Sequence, residues 1–220
     1  MRFLRVPLAL TILGAAAVAS PRAAQPPAQP QQPAQPAQAQ PPPQGGRGGG
    51  GRGGGGRGGV AVMTLHSIWP DGGQIPVRYT QAGTEDSPPL EWTNAPEGVT
   101  SFVLIVHDVD AATAPGTDDT LHWMVWNIPG TQTTLAGSLP RGSELANGIR
   151  QISATGPNYR GPGAPSAGPA HHYLFELFAL DTTINVPAVG AQPAATRAAV
   201  IVAMAGHVRG KGVLVGLFKR

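Results

Sequence analysis

Two carboxylates, Asp108 and Asp110, stand two residues apart just beyond an apolar run at 101–106 (SFVLIV). In an extended chain such residues project to the same side, so both acids are expected to face one mouth of a sheet. They can orient polar groups in a pocket there, or cap a surface turn through Asx-type hydrogen bonds. Local sequence leaves both roles open. His122 begins a second apolar run and precedes Trp123, which suits either a pocket donor or a satisfied core histidine. His171 and Tyr173 share a strand face by the same period-two rule, with Phe175 and Leu177 continuing that face inward. A polar mouth above an apolar floor fits a small ligand. The Gly/Pro loop at 156–169 contains Gly161, Pro162 and Pro165 and leads directly into that strand. Its glycines let backbone amides converge on an anion, and its prolines stiffen the path. A cis bond at Pro165 is compatible with this composition without being required by it.

Other chemistries are disfavoured. The chain has no cysteine, which removes disulfides, thiolate metal sites and a Cys nucleophile. There is no H-E-x-x-H helix, and neighbouring His171 and His172 on a strand point to opposite faces, so no metal site is expected. No serine occupies a G-x-S-x-G elbow. The sequence therefore nominates no catalytic residue and no cofactor, and the expectation is a binding protein. A histidine working as general acid or base remains the enzymatic alternative.

These residues need a sheet to hold them. Runs at 101–106, 122–128 (HWMVWNI), 171–180 (HHYLFELFAL) and 213–218 (VLVGLF) read as strands, the first of them buried on both faces. One helix is expected at 194–205, with Pro193 in its first turn and Gly206 closing it. Residues 71–74, 95–98 and 156–169 read as turns or loops. The expected fold class is mainly β, a sandwich with peripheral helix.

Composition changes abruptly near residue 60. Arg2 and Arg5 precede an apolar run at 6–19 and a stretch of small residues, which fits a signal peptide over residues 1–24. Residues 25–59 are Pro/Gln-rich and then Gly/Arg-rich, expected to be a disordered linker. Residues 60–220 are expected to form the one folded domain. All twelve acidic residues lie in that part against nine basic ones, so the overall charge of +3 belongs to the leading segment. Three arginines in the Gly-rich run, with no interleaved aromatic, are a weak nucleic-acid signal, and nucleic acid is not the expected partner. The expected location is periplasmic or secreted, with no transmembrane domain after signal cleavage.

In order along the chain stand SPPLEW (87–92), HDVDA (107–111), HWMVWN (122–127), YRGPGAPSAGPAHHYLFELFAL (159–180) and GHVRGKGVLVGLF (206–218). This ordered set resembles the phosphatidylethanolamine-binding protein family, also called Raf kinase inhibitor proteins, and its bacterial branch in particular. The resemblance implies a β-sandwich whose shallow pocket takes phosphate, a phosphorylated head group or a similar anion. It implies ligand-binding roles for Asp108, Asp110, His122, Gly161, Pro162, Pro165, His171 and Tyr173. Histidine donors and loop amides would hold the anion while the aspartates fix the histidine tautomers. Val109 stands where the family usually has proline, and His172 where it usually has arginine. An inhibitor of an extracellular protease or hydrolase, acting through the pocket rim on a protein target, is the second function the resemblance leaves open.

Overall fold

The computed structural model describes residues 59–112 and 118–220; the expected signal peptide and nearly all of the expected linker lie outside them. In chain order the strands are β1 (Ala61–Val62), β2 (Thr64–His66), β3 (Gly73–Gln74), β4 (Leu90–Thr93), β5 (Ser101–Asp108), β6 (Thr120–Pro129), β7 (Thr134–Leu135), β8 (Arg150–Ile152) and β9 (His171–Leu180). Helix α1 (Pro193–Met204) and strand β10 (Val208–Phe218) follow. A seven-stranded sheet runs β1-β10-β9-β5-β6-β8, with β3 also paired to β10, and a three-stranded sheet runs β2-β4-β7.

Strand β5 explains the layering. Every one of its residues is buried, because alternate side chains enter two different cores. Phe102, Leu104 and Val106 pack toward the small sheet with Leu65, Trp92 and Leu135. Val103 and Ile105 pack toward α1 with Val200 and Met204. Trp92 meets Phe102 edge-on at 5.1 Å between ring centroids, joining the two sheets. The result is a β-sandwich with one α-helix on the outer face of the larger sheet.

Strands β5 and β6 reach two residues past the apolar runs that announced them, to Asp108 and back to Thr120. Backbone pairing extends a strand beyond its hydrophobic stretch wherever a neighbour offers partners. Strand β10 likewise starts at Val208, through glycines that give no strand signal. Its Gly216 leaves room for the buried Ile75 side chain, whose Cδ1 would stand 2.5 Å from a Cβ there and would have to shift. Residues 73–74, expected to be a turn, pair in parallel with Gly216 and Leu217.

Candidate functional site

The register of the central strands builds the site. Asp108, the last residue of β5, pairs with Tyr173 on β9 and with Thr120 on β6. His171 lies two residues before Tyr173 on the same face, and its Nδ1 is 2.9 Å from Asp108 Oδ2. His122 enters from β6, its ring edge-on to Tyr173 at 5.0 Å. Asp108, His122, His171, Tyr173 and Pro165 line one open cavity of about 270 Å³ at this end of the strands. A larger cleft of about 540 Å³ lies at the other end of β5. There Ser101 and Asn127 are already committed to the Thr182 and Ile184 backbones.

Three expected site residues lie outside the lining of the smaller cavity. Asp110 does not share the mouth with Asp108, because β5 ends at Asp108 and the chain turns. Its backbone N–H donates to Asp108 Oδ1 at 3.0 Å, while its own carboxylate accepts the His172 N–H at 2.6 Å and faces His172 Nδ1 at 2.8 Å. The His172 amide, with burial opposing it, draws the Asp110 carboxyl below its usual range. Asp108 thus both caps a turn and lines the cavity, so the two roles left open by the sequence coincide.

Gly161 and Pro162 sit behind the cavity wall. The Gly161 N–H donates to Glu85 Oε1 at 3.3 Å, its carbonyl accepts from Gln81 Nε2 at 2.8 Å, and the Pro162 carbonyl accepts the Gln81 N–H at 2.9 Å. The Gly163 N–H goes to the Tyr173 hydroxyl oxygen at 3.2 Å. Loop amides expected to meet an anion are therefore spent on the protein itself. No cis peptide bond occurs among the described residues, so Pro165 is trans.

Electrostatically the cavity is uneven. Burial lowers the His122 pKa, against the pull of its hydrogen bond to the Arg160 carbonyl, and the Arg160 charge lowers it further. Burial and the nearby Asp108 charge push the Tyr173 hydroxyl well above the usual phenol range, so it stays protonated at neutral pH. Sequence reasoning missed Gln81 and Arg160, which also line the cavity. Gln81 comes from a turn 80 residues away from its Gly161 partner and carries no local signal. Arg160 was legible: it is the one basic residue of the 156–169 loop.

The phosphatidylethanolamine-binding protein family model matches residues 66–219. The chain belongs to this family. Among curated relatives it is 39% identical over 152 residues to a UPF0098 protein of Methanothermobacter thermautotrophicus, covering 68% of this chain and 93% of that one. It is 34% identical over 152 residues to LppC of Mycobacterium tuberculosis, which carries the designation lipoprotein, covering 68% of each. The phosphatidylethanolamine-binding protein homologue CT736 of Chlamydia trachomatis superposes with a TM-score of 0.61 at 28% identity, over 73% of this chain and 99% of that one. YbcL of Escherichia coli, described as a member of the same family, gives 0.60 at 26% identity, over 72% and 98%.

In this family member the wall behind the cavity depends on one close approach. A Cβ on Gly161 would stand 2.8 Å from the backbone of Tyr79 and Thr80, which cannot move aside as a flexible side chain would. Gly161→Ala is expected to lose about 1–2 kcal/mol in urea denaturation, the lower part of the overpacking range because the loop can yield. A stability equal to wild type would mean that the loop and the Tyr79–Thr80 turn are not held together this closely.

Proposed function

We propose that this protein is an exported binding module whose cavity takes phosphate or a phosphorylated group. The observation that carries the reading is the convergence of two histidine rings, the Tyr173 phenol and Arg160 on one open cavity. A tetrahedral oxoanion needs several donors converging from different directions, and this cavity assembles titratable ones from β6, β9 and the 156–169 loop. None of the lining side chains is a cysteine, serine or lysine, and no His/Cys/Asp/Glu group with metal-holding geometry occurs among the described residues.

Export rests on the signal-peptide pattern of residues 1–24 and on the lipoprotein designation of LppC. The described helices include none long and apolar enough to cross a membrane.

The test is an NMR titration of the full chain with inorganic phosphate. Saturable shifts are expected at Asp108, His122, His171 and Tyr173, and the affinity is expected to fall about 10- to 100-fold in His122→Ala and in His171→Ala, as for loss of a hydrogen bond to a charged group. An absence of saturable shifts in folded wild-type protein would discard the anion reading and leave inhibition of a protein target as the function to pursue.

A further inference from the structure

The cavity is short of donors. His122 Nδ1 lies 2.9 Å from the Arg160 carbonyl, and a carbonyl only accepts, so Nδ1 carries the proton and neutral His122 offers a bare Nε2. His171 turns Nδ1 to the Asp108 carboxylate, which leaves its Nε2 in the same condition when the ring is neutral. Asp108 can only accept while ionised, and the protonated Tyr173 hydroxyl spends its hydrogen on Asp108. Gln81 gives an amide hydrogen to Gly161, and the Gly161 and Gly163 N–H groups are bonded within the protein. With neutral histidines, then, the cavity presents mostly lone pairs to a ligand that is itself rich in lone pairs.

Arg160 breaks this pattern. It is the one lysine or arginine in the lining, and among the described residues its guanidinium has no carboxylate or hydrogen-bond partner. Its backbone is fixed against His122 on both sides, with the Arg160 N–H on the His122 carbonyl at 3.0 Å and the Arg160 carbonyl on Nδ1. Burial lowers the His122 pKa first, and the Arg160 charge adds a smaller push in the same direction.

We infer that Arg160 is the ligand-binding cation of this pocket and that, together with the bare Nε2 of His122, it selects a phosphate carrying its own P–OH. The inference rests on the anion-pocket reading above and narrows its ligand class. The guanidinium fork donates to two phosphate oxygens, and the P–OH donates to Nε2. A phosphomonoester or inorganic phosphate brings that proton with it at about pH 5.5, below its second pKa of about 6. A phosphodiester has none, so His122 must first take one from solvent against the burial and the Arg160 charge that disfavour it. The shared chemistry is a phosphate group, and the proton on it separates a monoester from the diester of an intact phospholipid head.

The full chain would be titrated at about pH 5.5 with inorganic phosphate, phosphoethanolamine and glycerophosphoethanolamine, by calorimetry and NMR. The two P–OH ligands are expected to bind about 10- to 100-fold more tightly than the diester, and Arg160→Gln is expected to lose about the same factor for them. Arg160→Lys keeps the charge without the fork and is expected to fall between. The Arg160 side chain makes no hydrogen bond among the described residues, so both variants should keep the wild-type urea midpoint. Undiminished phosphate binding by Arg160→Gln overturns the role of Arg160 while the pocket reading stands. Equal affinity for monoester and diester overturns the P–OH selection. Wild-type protein that binds none of the three overturns the pocket reading and this inference with it.

Discussion

Trp123→Ala is expected to remove about 3–5 kcal/mol of stability, at the high end for a buried aromatic because it also strands a polar group. Trp123 is fully buried, and its Nε1 donates to Gln151 Oε1 at 2.9 Å inside the protein. Gln151 spends its amide hydrogens on the Pro140 and Gly142 carbonyls, so its oxygen would have no substitute donor. The indole also meets Tyr159 edge-on at 5.3 Å, and the Tyr159 hydroxyl donates to the Tyr79 carbonyl at 2.9 Å. Trp123 and Tyr159 each precede or follow a cavity residue, His122 and Arg160, whose backbones clasp each other. Alanine would empty the space between the two. A domain of this size has a total stability of about 5–15 kcal/mol, so the loss is a large fraction of the whole. Trp123→Phe keeps most of the apolar contact and loses the hydrogen bond, with an expected cost of about 1–3 kcal/mol. Urea denaturation measures both. If Ala and Phe cost the same, the cavity contributes nothing and the packing role assigned to the indole is wrong.

The sequence made the central strands legible because their chemistry is local. A run such as 101–106 has no polar face to misread, and in the 171–180 run Tyr173, Phe175 and Leu177 alternate with less buried neighbours, as in a strand with one well-covered face. The helix was legible for a similar reason, with Pro193 and Gly206 bracketing alanine-rich turns; it spans Pro193–Met204. Strands β1, β2, β7 and β8 are two or three residues long and were not anticipated, since so few residues form no period. In the site, the shared face of His171 and Tyr173 followed from alternation. Asp110 did not, because the same rule was carried one turn past the end of β5. Gly161 and Pro162 came from resemblance to a loop, and what the loop does with its amides depends on Gln81 and Glu85, far away in sequence. The ion network on the opposite face of the sheet, around His107, left no trace at all: its members are scattered from 107 to 211.

That network sets the second large expectation. His107 stands between two carboxylates, with Nδ1 against Asp119 and Nε2 3.1 Å from Glu176 Oε2. Ionised carboxylates only accept, so both contacts are satisfied when the ring is an imidazolium with two N–H donors. Arg197 of α1 pairs with Asp119, and Lys211 of β10 with Glu176 at 2.6 Å, so the network ties β5, β9, β10 and the helix together. The His107 hydrogen bond draws Glu176 down to about 2 from the usual 4.5, with burial opposing and Lys211 assisting. Burial works against the charge on His107, but its bonds to Glu176 and Asp119 outweigh it and raise the pKa above 6.5. A depressed carboxylate stabilises the fold above its unfolded value and loses that contribution as pH falls from 4.5 toward 2. A raised histidine contributes fully below 6.5 and loses its share as pH rises through its folded value. The network should therefore stabilise most between about pH 4.5 and 6.5. Glu176→Ala leaves the imidazolium with half its compensation and is expected to cost about 2–4 kcal/mol at pH 5.5, discounted because Lys211 reaches solvent. Glu176→Gln still accepts from His107 and should cost about 1 kcal/mol, while flattening the acid limb of the pH profile and weakening the alkaline one. Urea midpoints from pH 3 to 8 read both effects. A wild-type profile that keeps rising from pH 6 to 8 would mean that burial wins over the two carboxylates and His107 folds as the neutral ring, with the proton released rather than held in the network.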